Sequence, residues 1–453
     1  MIKYGFIACL LSFFFQAFPA SGHGLALSTD YETLTLRLYN EQKWDSLLVI
    51  GEEAIGKGYD YFYMRVRVGV AAFEKQRYVR AARHLEKALE FNSPDAFAST
   101  LLYKSYHYSN RLNEARLLLG KLPDAQAYSI GKADRLPILY VEAGPAFTNH
   151  VEKYGENKQT DPGTYSEVYL NRNSQFLLAG IAQPIGHRFL VHAAAAVLNF
   201  NKRRVVNINY FEPISGILYP IDSLSGDYQV SEWELYLSPS VILSKHLSLS
   251  PAFRLINVSL TNPLTSGDTV VQRLIGSTDE LNYYDYAAGG EITYNNPFFS
   301  LSAGAWKLHI DDNDYTQYTG TLLLMPFGNL NLYASGTLNQ QTSDYETKYT
   351  FNQMIGGKIF GKLWGEAFYT WGDLSNSAEQ NAQVVYNAYD VTTSRTGARL
   401  IVNINDYLKL SLRYQLFFRE GTELFYALDG ESAIYSYNYI NQSITGGITW
   451  NLH

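Results

Sequence analysis

The chain has 453 residues, 17% of them charged, and a formal net charge of −7. That charge excludes the basic footprint that nucleic acid demands, and the length admits two or three domains. Mean hydropathy is slightly negative, which excludes a helical membrane protein.

In chain order, residues 1–22 read as a secretory signal. Lys3 supplies the positive start, Phe6 to Phe15 the apolar stretch, and Ala20-Ser21-Gly22 a small-x-small cleavage site. The apolar stretch falls short of the roughly 20 residues of a membrane helix. Cys9, the single cysteine, lies inside this segment without a lipoprotein box before it. The mature chain is then expected to carry no thiol. Disulfides, thiol catalysis and Cys-ligated metal are excluded, and a compartment outside the cytoplasm is implied.

Residues 28–122 carry a helical repeat with a period of 34. Trp44, Tyr78 and Leu112 share one register position, and Leu47, Ala81 and Ala115 another. Ala54, Gly69, Ala88 and Pro94 complete the set of expected packing positions. This pattern resembles the tetratricopeptide repeat (TPR), in which a small residue lets two antiparallel helices approach closely. The middle copy matches best; the first has Thr35 and the third Tyr103 where Gly69 stands. Terminal copies of a stack face water, which relaxes their pattern. The resemblance implies three hairpins with a surface for a periplasmic protein or peptide. Residues 123–135 read as a polar linker.

From residue 136 to 453 the period changes to two, and fourteen strands are expected. They lie near 136–148, 174–184, 188–200, 229–243, 247–260, 282–295, 298–310, 314–326, 329–341, 346–360, 362–374, 388–404, 407–419 and 433–452. In the clearest, Leu408, Leu410, Leu412, Tyr414, Leu416 and Phe418 alternate with Lys409, Ser411, Arg413, Gln415, Phe417 and Arg419. Tight turns (Gly186-His187, Ser244-Lys245-His246, Asn296-Pro297, Phe327-Gly328, Gly361, Asn405-Asp406) alternate with longer polar links. Those links are 149–173, 201–228, 261–281, 375–387 and 420–432. Short turns on one side and long loops on the other are the asymmetry of an outer-membrane barrel, with the tight turns in the periplasm. An open sheet of that many strands would exceed the usual limit and leave two unpaired edges. The expected fold class is therefore α + β multidomain: N-terminal helical hairpins, then an antiparallel transmembrane β-barrel in the outer membrane of a Gram-negative bacterium.

The last strand, with Ile440, Ile444, Ile448 and Trp450 on one face, resembles the assembly signal of outer-membrane proteins. The layout of signal, periplasmic repeats and C-terminal barrel is similar to polysaccharide-export porins and to surface lipoprotein assembly modulators. It implies export or surface display of a recruited cargo. An envelope anchor that transports nothing is the alternative, and an outer-membrane hydrolase a further one.

On the polar face, Arg395, Arg399, Lys409, Arg413 and Arg419 form an expected basic ladder in the lumen. Such a ladder would lower the barrier for an anionic solute or acidic polysaccharide. Facing lipid instead, each Arg would cost about 2–4 kcal/mol at the midplane. Glu366 beside them, and Glu232 and Glu234 on another wall, supply the expected acidic balance. Loops 201–228 or 261–281 are the candidates for plugging the lumen. Asp311, Asp312, Asn313 and Asp314 lack the spacing and glycine of an EF-hand, so a solvated turn is expected rather than a metal site. Tyr283, Tyr284, Tyr286, Tyr435, Tyr437 and Tyr439 are expected in an aromatic girdle. The histidines (His150, His187, His192, His246, His309 and His453) show no paired metal spacing or triad, and no phosphate loop or nucleophile elbow occurs. No enzyme activity and no cofactor are expected.

Overall fold

The computed structural model describes residues 30–93, 95–158, 164–212, 217–266, 269–277, 279–388, 390–426 and 431–452. The expected signal 1–22, Pro94 and His453 lie outside the described residues.

The helical unit consists of α1 (Tyr31–Asn40), α2 (Trp44–Gly56), α3 (Phe62–Glu74), α4 (Tyr78–Phe91), α5 (Ala96–Tyr108), α6 (Leu112–Leu119) and α7 (Asp124–Ile130). Its backbone repeats as its sequence does. Gln42, Gln76 and Asn110, 34 positions apart, each take φ between 54° and 58° at the turn that joins the two helices of a hairpin. A left-handed residue there turns the chain back with no added loop. Leu47, Ala54, Ala81, Ala88 and Ala115 are fully buried, with Trp44 packed against them. Gly69 is needed as glycine, because a Cβ there would lie 2.9 Å from Leu85 Cγ. Thr35 fits the same position of the first hairpin because its hydroxyl is satisfied: it donates to the Tyr31 carbonyl at 2.7 Å and accepts from Arg67 at 3.1 Å.

Two expectations for this unit are corrected. Leu112 is 48% exposed, not packed. Trp44 and Tyr78 lean on the rings of Tyr39 and Phe73, whereas the equivalent partner of Leu112 is His107. Residues 123–135 are not a linker but α7 followed by a 3₁₀ turn at Ala133–Arg135. Ala127 is buried, and Gly131 sits against Leu119, so this segment covers the open side of the last hairpin.

The strands are β1 (Ile138–Thr148), β2 (Tyr165–Ile185), β3 (Phe189–Glu212), β4 (Ile217–Ile242), β5 (Leu247–Thr261), β6 (Glu280–Asn295), β7 (Phe299–Ile310), β8 (Asn313–Leu324), β9 (Leu332–Thr342), β10 (Thr347–Phe360), β11 (Leu363–Trp371), β12 (Ala378–Glu379), β13 (Val384–Val385), β14 (Val391–Asn403), β15 (Leu408–Tyr426) and β16 (Ser432–Asn451). Fourteen of them close into one antiparallel barrel, each pairing with its chain neighbours. β12 and β13 form a separate two-stranded sheet, which puts β11 beside β14. β1 closes the barrel on β16, with Val141 opposite Ile448. Gly144 permits that seam, because a Cβ there would fall on the Ile444 carbonyl.

The outer face is apolar between two bands of rings. Leu177, Leu235, Leu322, Leu338, Leu412 and Ile444 are each at least 42% exposed. So large an exposed apolar surface belongs in lipid, not water. Near the tight turns stand Phe189, Phe298, Phe327, Phe360 and Trp450, and near the opposite rim Trp233, Tyr284, Tyr318, Tyr349 and Trp371. These bands have the position of an interfacial girdle. Tyr437 and Tyr439, expected among them, instead face inward and are buried, because they share the inward parity of Asn441 and Ser443. β2, β3, β4 and β15 run well past the girdle, so 201–228 is largely strand where a loop was expected. Segment 261–281 carries α9 (Thr269–Ile275), whose Val271 and Ile275 pack on Val206 and Ile208 of β3. Among the described residues, neither segment fills the lumen.

Candidate functional site: the filled lumen

The segment that enters the barrel is 372–388, of which the sequence pattern assigns 375–387 to an outer loop and the flanking residues to strands. Its β12–β13 hairpin turns through Gln380, Asn381 and Ala382, three successive non-glycine residues with φ of 53–59°. Such backbone costs on the order of 1–2 kcal/mol per residue and persists only where its surroundings hold it. Here the barrel wall holds it. Gln317 of β8 exchanges two hydrogen bonds with the Ala378 backbone, at 2.7 and 3.0 Å. Tyr236 of β4 donates to the Asn381 carbonyl at 3.2 Å, and Asn381 donates to Ser238 at 3.1 Å. Gln383 reaches Tyr140 of β1, and its carbonyl accepts from Arg254 of β5. Asn387 donates to Asp285 of β6 at 2.7 Å, and Gln341 of β9 donates to the Asn376 carbonyl. Lys348 of β10 meets Asp373 at 2.6 Å. Ala378, Ala382 and Val385 pack among Ile256, Val258, Trp306, Leu308 and Ile310. The segment thus touches most of the circumference.

Its end is tied at the outer rim. Asp390 accepts from Tyr439 at 2.6 Å and from Asn171 at 2.8 Å. The fully buried His150 stacks on Tyr439 at 3.7 Å, takes the Asn171 N–H on Nδ1 at 3.0 Å, and meets the Tyr437 hydroxyl at 2.8 Å. Those contacts assign the imidazole a structural role beside α8 (His150–Asn157).

The expected basic ladder does not form one surface. Arg395 holds the inward segment: its guanidinium grips Glu379 at 2.9 and 3.1 Å, donates to Thr370 at 2.9 Å and to Tyr386, and lies over the Phe368 ring. With a side chain only 5% exposed, it lines no pathway in this state. Arg399 and Arg413 are register partners and share one carboxylate, Glu142 of β1, at 3.6 and 3.4 Å. Glu142 reaches them across β16 where Gly447 leaves room; a Cβ at 447 would lie 3.2 Å from Glu142 Cγ. Arg419 sits over the Phe417 ring near Asp390, and Lys409 is exposed near the tight turns.

The acidic positions are also rearranged. Glu366 faces Arg399 in register but accepts the Tyr333 hydroxyl at 2.6 Å, so it does not balance the basic residues as expected. Glu234 pairs with Arg254 in a fully desolvated contact, and Glu232 is buried beside it. The Asp311-Asp312 tip is a tight turn at positive φ, tied by Asp311 N–H to Asp285 at 3.0 Å. Sequence reasoning missed Glu142, Arg254, Lys348, Asp373 and Glu379. The signal within 375–387 was its apolar triplet Val384-Val385-Tyr386, unusual for a solvated loop.

The helical unit meets the opposite, tight-turn end. Arg116 of α6 donates to the Gly186 and Phe189 carbonyls, at 3.2 and 2.6 Å, beyond the β2–β3 turn. Asn110 donates to Met325 Sδ at 3.5 Å, and Val79 packs against Gly328, both at the β8–β9 turn. Those two turns are six strands apart in a ring of fourteen, so the unit runs beneath the mouth.

Fold and surface together define a transmembrane β-barrel of outer-membrane type with a helical unit at one mouth. Neither a family model nor a curated protein matches the sequence. Among solved structures, the chain is similar to the Pseudomonas putida toluene transporter TodX at 8% identity and TM-score 0.40, over 70% of this chain and 90% of that one. A Pseudomonas aeruginosa FadL homologue aligns at 9% identity and TM-score 0.42, over 70% and 91%. The translocator domain of the autotransporter NalP from Neisseria meningitidis aligns at 10% and 0.31, over 77% and 99%. These alignments are distant in geometry as well as sequence. The architecture rests on the chain's own strand pairing.

Proposed function

We propose that this protein is a gated barrel of the Gram-negative outer membrane, not an enzyme. Its helical unit, read as TPR-like hairpins, recruits a periplasmic protein or peptide for export or surface display. One observation carries the reading: the helical unit is seated beneath the mouth on the tight-turn side, where a recruited partner would meet the lumen. Passage requires withdrawal of 372–388, and Arg399, Arg413 and Arg419 then favour anionic cargo, including an acidic polysaccharide. The test is deletion of 30–130 with the leader retained. The barrel should still insert, shown by heat-modifiable gel mobility, while crosslinking in cells should lose the partner. Identical partner profiles from the two strains would refute recruitment.

The filled lumen favours a second reading, an anchor that holds the hairpins at the membrane and transports nothing. Planar-bilayer recording separates the two. An anchor shows no stable open channel even when residues 376–388 are deleted.

A further inference from the structure

We propose that the junction between α6 and the β2–β3 and β4–β5 turns binds the phosphodiester headgroup of a glycerophospholipid in the inner leaflet. A cavity of about 880 Å³ lies there, open between the barrel's outer wall and the helical unit. On the wall side it is lined by Ile185 and Phe189, on the lipid-facing parity of β2 and β3, and by Leu243 just past the end of β4, each about half exposed. Leu117 and Leu118 of α6 line the other side. This apolar floor is therefore continuous with the surface that lipid tails cover.

The polar edge of the same cavity is cationic. Lys121, Arg188 and Lys245 line it. Arg188 is positioned by hydrogen bonds to the Ile242 and Leu243 carbonyls, at 3.1 and 3.3 Å. Glu86 and Glu114 are also present and share Arg111, at 3.0 and 2.5 Å, so that with Lys121, Arg188 and Lys245 the lining carries four cations against two carboxylates. Among the described residues none of the three outer cations has a carboxylate within salt-bridge distance. Phe189 belongs to the ring band at the tight-turn interface, which is the depth of a headgroup. Three cations above an apolar wall match a phosphodiester carrying acyl chains, whereas free phosphate would leave the wall unused. The bound lipid would tie the helical unit to the membrane. The inference rests on the membrane placement of the barrel and is independent of export.

The test is native mass spectrometry of the full chain released from micelles containing dioleoylphosphatidylglycerol. One lipid should be retained, and Lys121→Gln with Lys245→Gln should weaken retention about fivefold per lysine. Both side chains are at the surface, and unchanged heat-modifiable mobility confirms the fold. Lys153→Gln, at the opposite rim, should leave retention unaltered. Equal retention in the double variant and the parent would overturn the site. Displacement of the lipid by glycerol phosphate as readily as by fresh lipid would reduce it to an anion site and overturn the lipid assignment.

Discussion

Glu379→Ala is expected to release the inward segment. Glu379 and Arg395 are 8% and 5% exposed, and their pairing is bidentate. Removing one partner of a buried pair costs about 3–5 kcal/mol, because the other charge stays buried without its counter-charge. Arg395 would keep Thr370, the Tyr386 hydroxyl and the faces of Phe368 and Tyr386, so the lower end applies. A loss of ~3 kcal/mol raises the withdrawn population about a hundredfold. Ala378 reports it directly: it is 2% exposed, and Cys9 is the only native cysteine. In a background lacking Cys9, maleimide labelling of Ala378→Cys should accelerate about a hundredfold when Glu379→Ala is added, since labelling tracks the open population when reclosing is fast. Glu379→Gln, which can still accept from the guanidinium, should accelerate it less. Equal labelling rates with and without Glu379→Ala would refute the role of the pair.

Three further outcomes are expected. Arg65 bonds Asp60 twice at 2.6 Å and holds its carboxyl below the ordinary value of 3.8; the stabilisation is complete above that value and is lost as pH falls through the lowered one. Asp60→Asn should remove this part of the acid sensitivity of the helical signal in circular dichroism, and an unchanged acid transition would contradict it. Gly69→Ala forces a Cβ against Leu85 and should cost about 1–3 kcal/mol, seen as a lower melting temperature of the helical unit; an unchanged melt would exclude close helix approach there. In the variant lacking 376–388, Glu142→Gln frees Arg399 and Arg413 and should raise anion selectivity in reversal-potential measurements, while Arg399→Ala with Arg413→Ala should lower it. Unaltered selectivity in both would remove these residues from any pathway.

Much of this architecture was legible in the residues. The 34-residue spacing of Trp44, Tyr78 and Leu112 marked the hairpins because each stands two residues after the same left-handed turn position, although only Trp44 and Tyr78 lean on a ring. Strict alternation at 408–419 set which side chains face lipid, and fourteen such segments are the strands that close. β2 was placed too short because the polar run Asn171-Arg172-Asn173, where its register with β3 shifts, separates the buried Ser166, Val168 and Leu170 from the rest of the strand. α7 was missed because a short helix with one buried alanine carries too little periodicity to separate it from a linker. Arg395, Arg399 and Arg413 take partners that their spacing did not name. Period two assigns a face, but not which carboxylate crosses a glycine to reach it.

Sequence alone determined the hairpin repeat, the strand number and the two-faced wall, since each follows from local periodicity. Tertiary closure decided the rest. Only a closed ring brings Glu142 of the first strand to Arg413 near the last, and only a lumen surrounded by wall can hold 380–382 in left-handed backbone. Polar links and plugs have similar compositions. What separates them is whether a barrel offers hydrogen bonds and apolar contacts on every side.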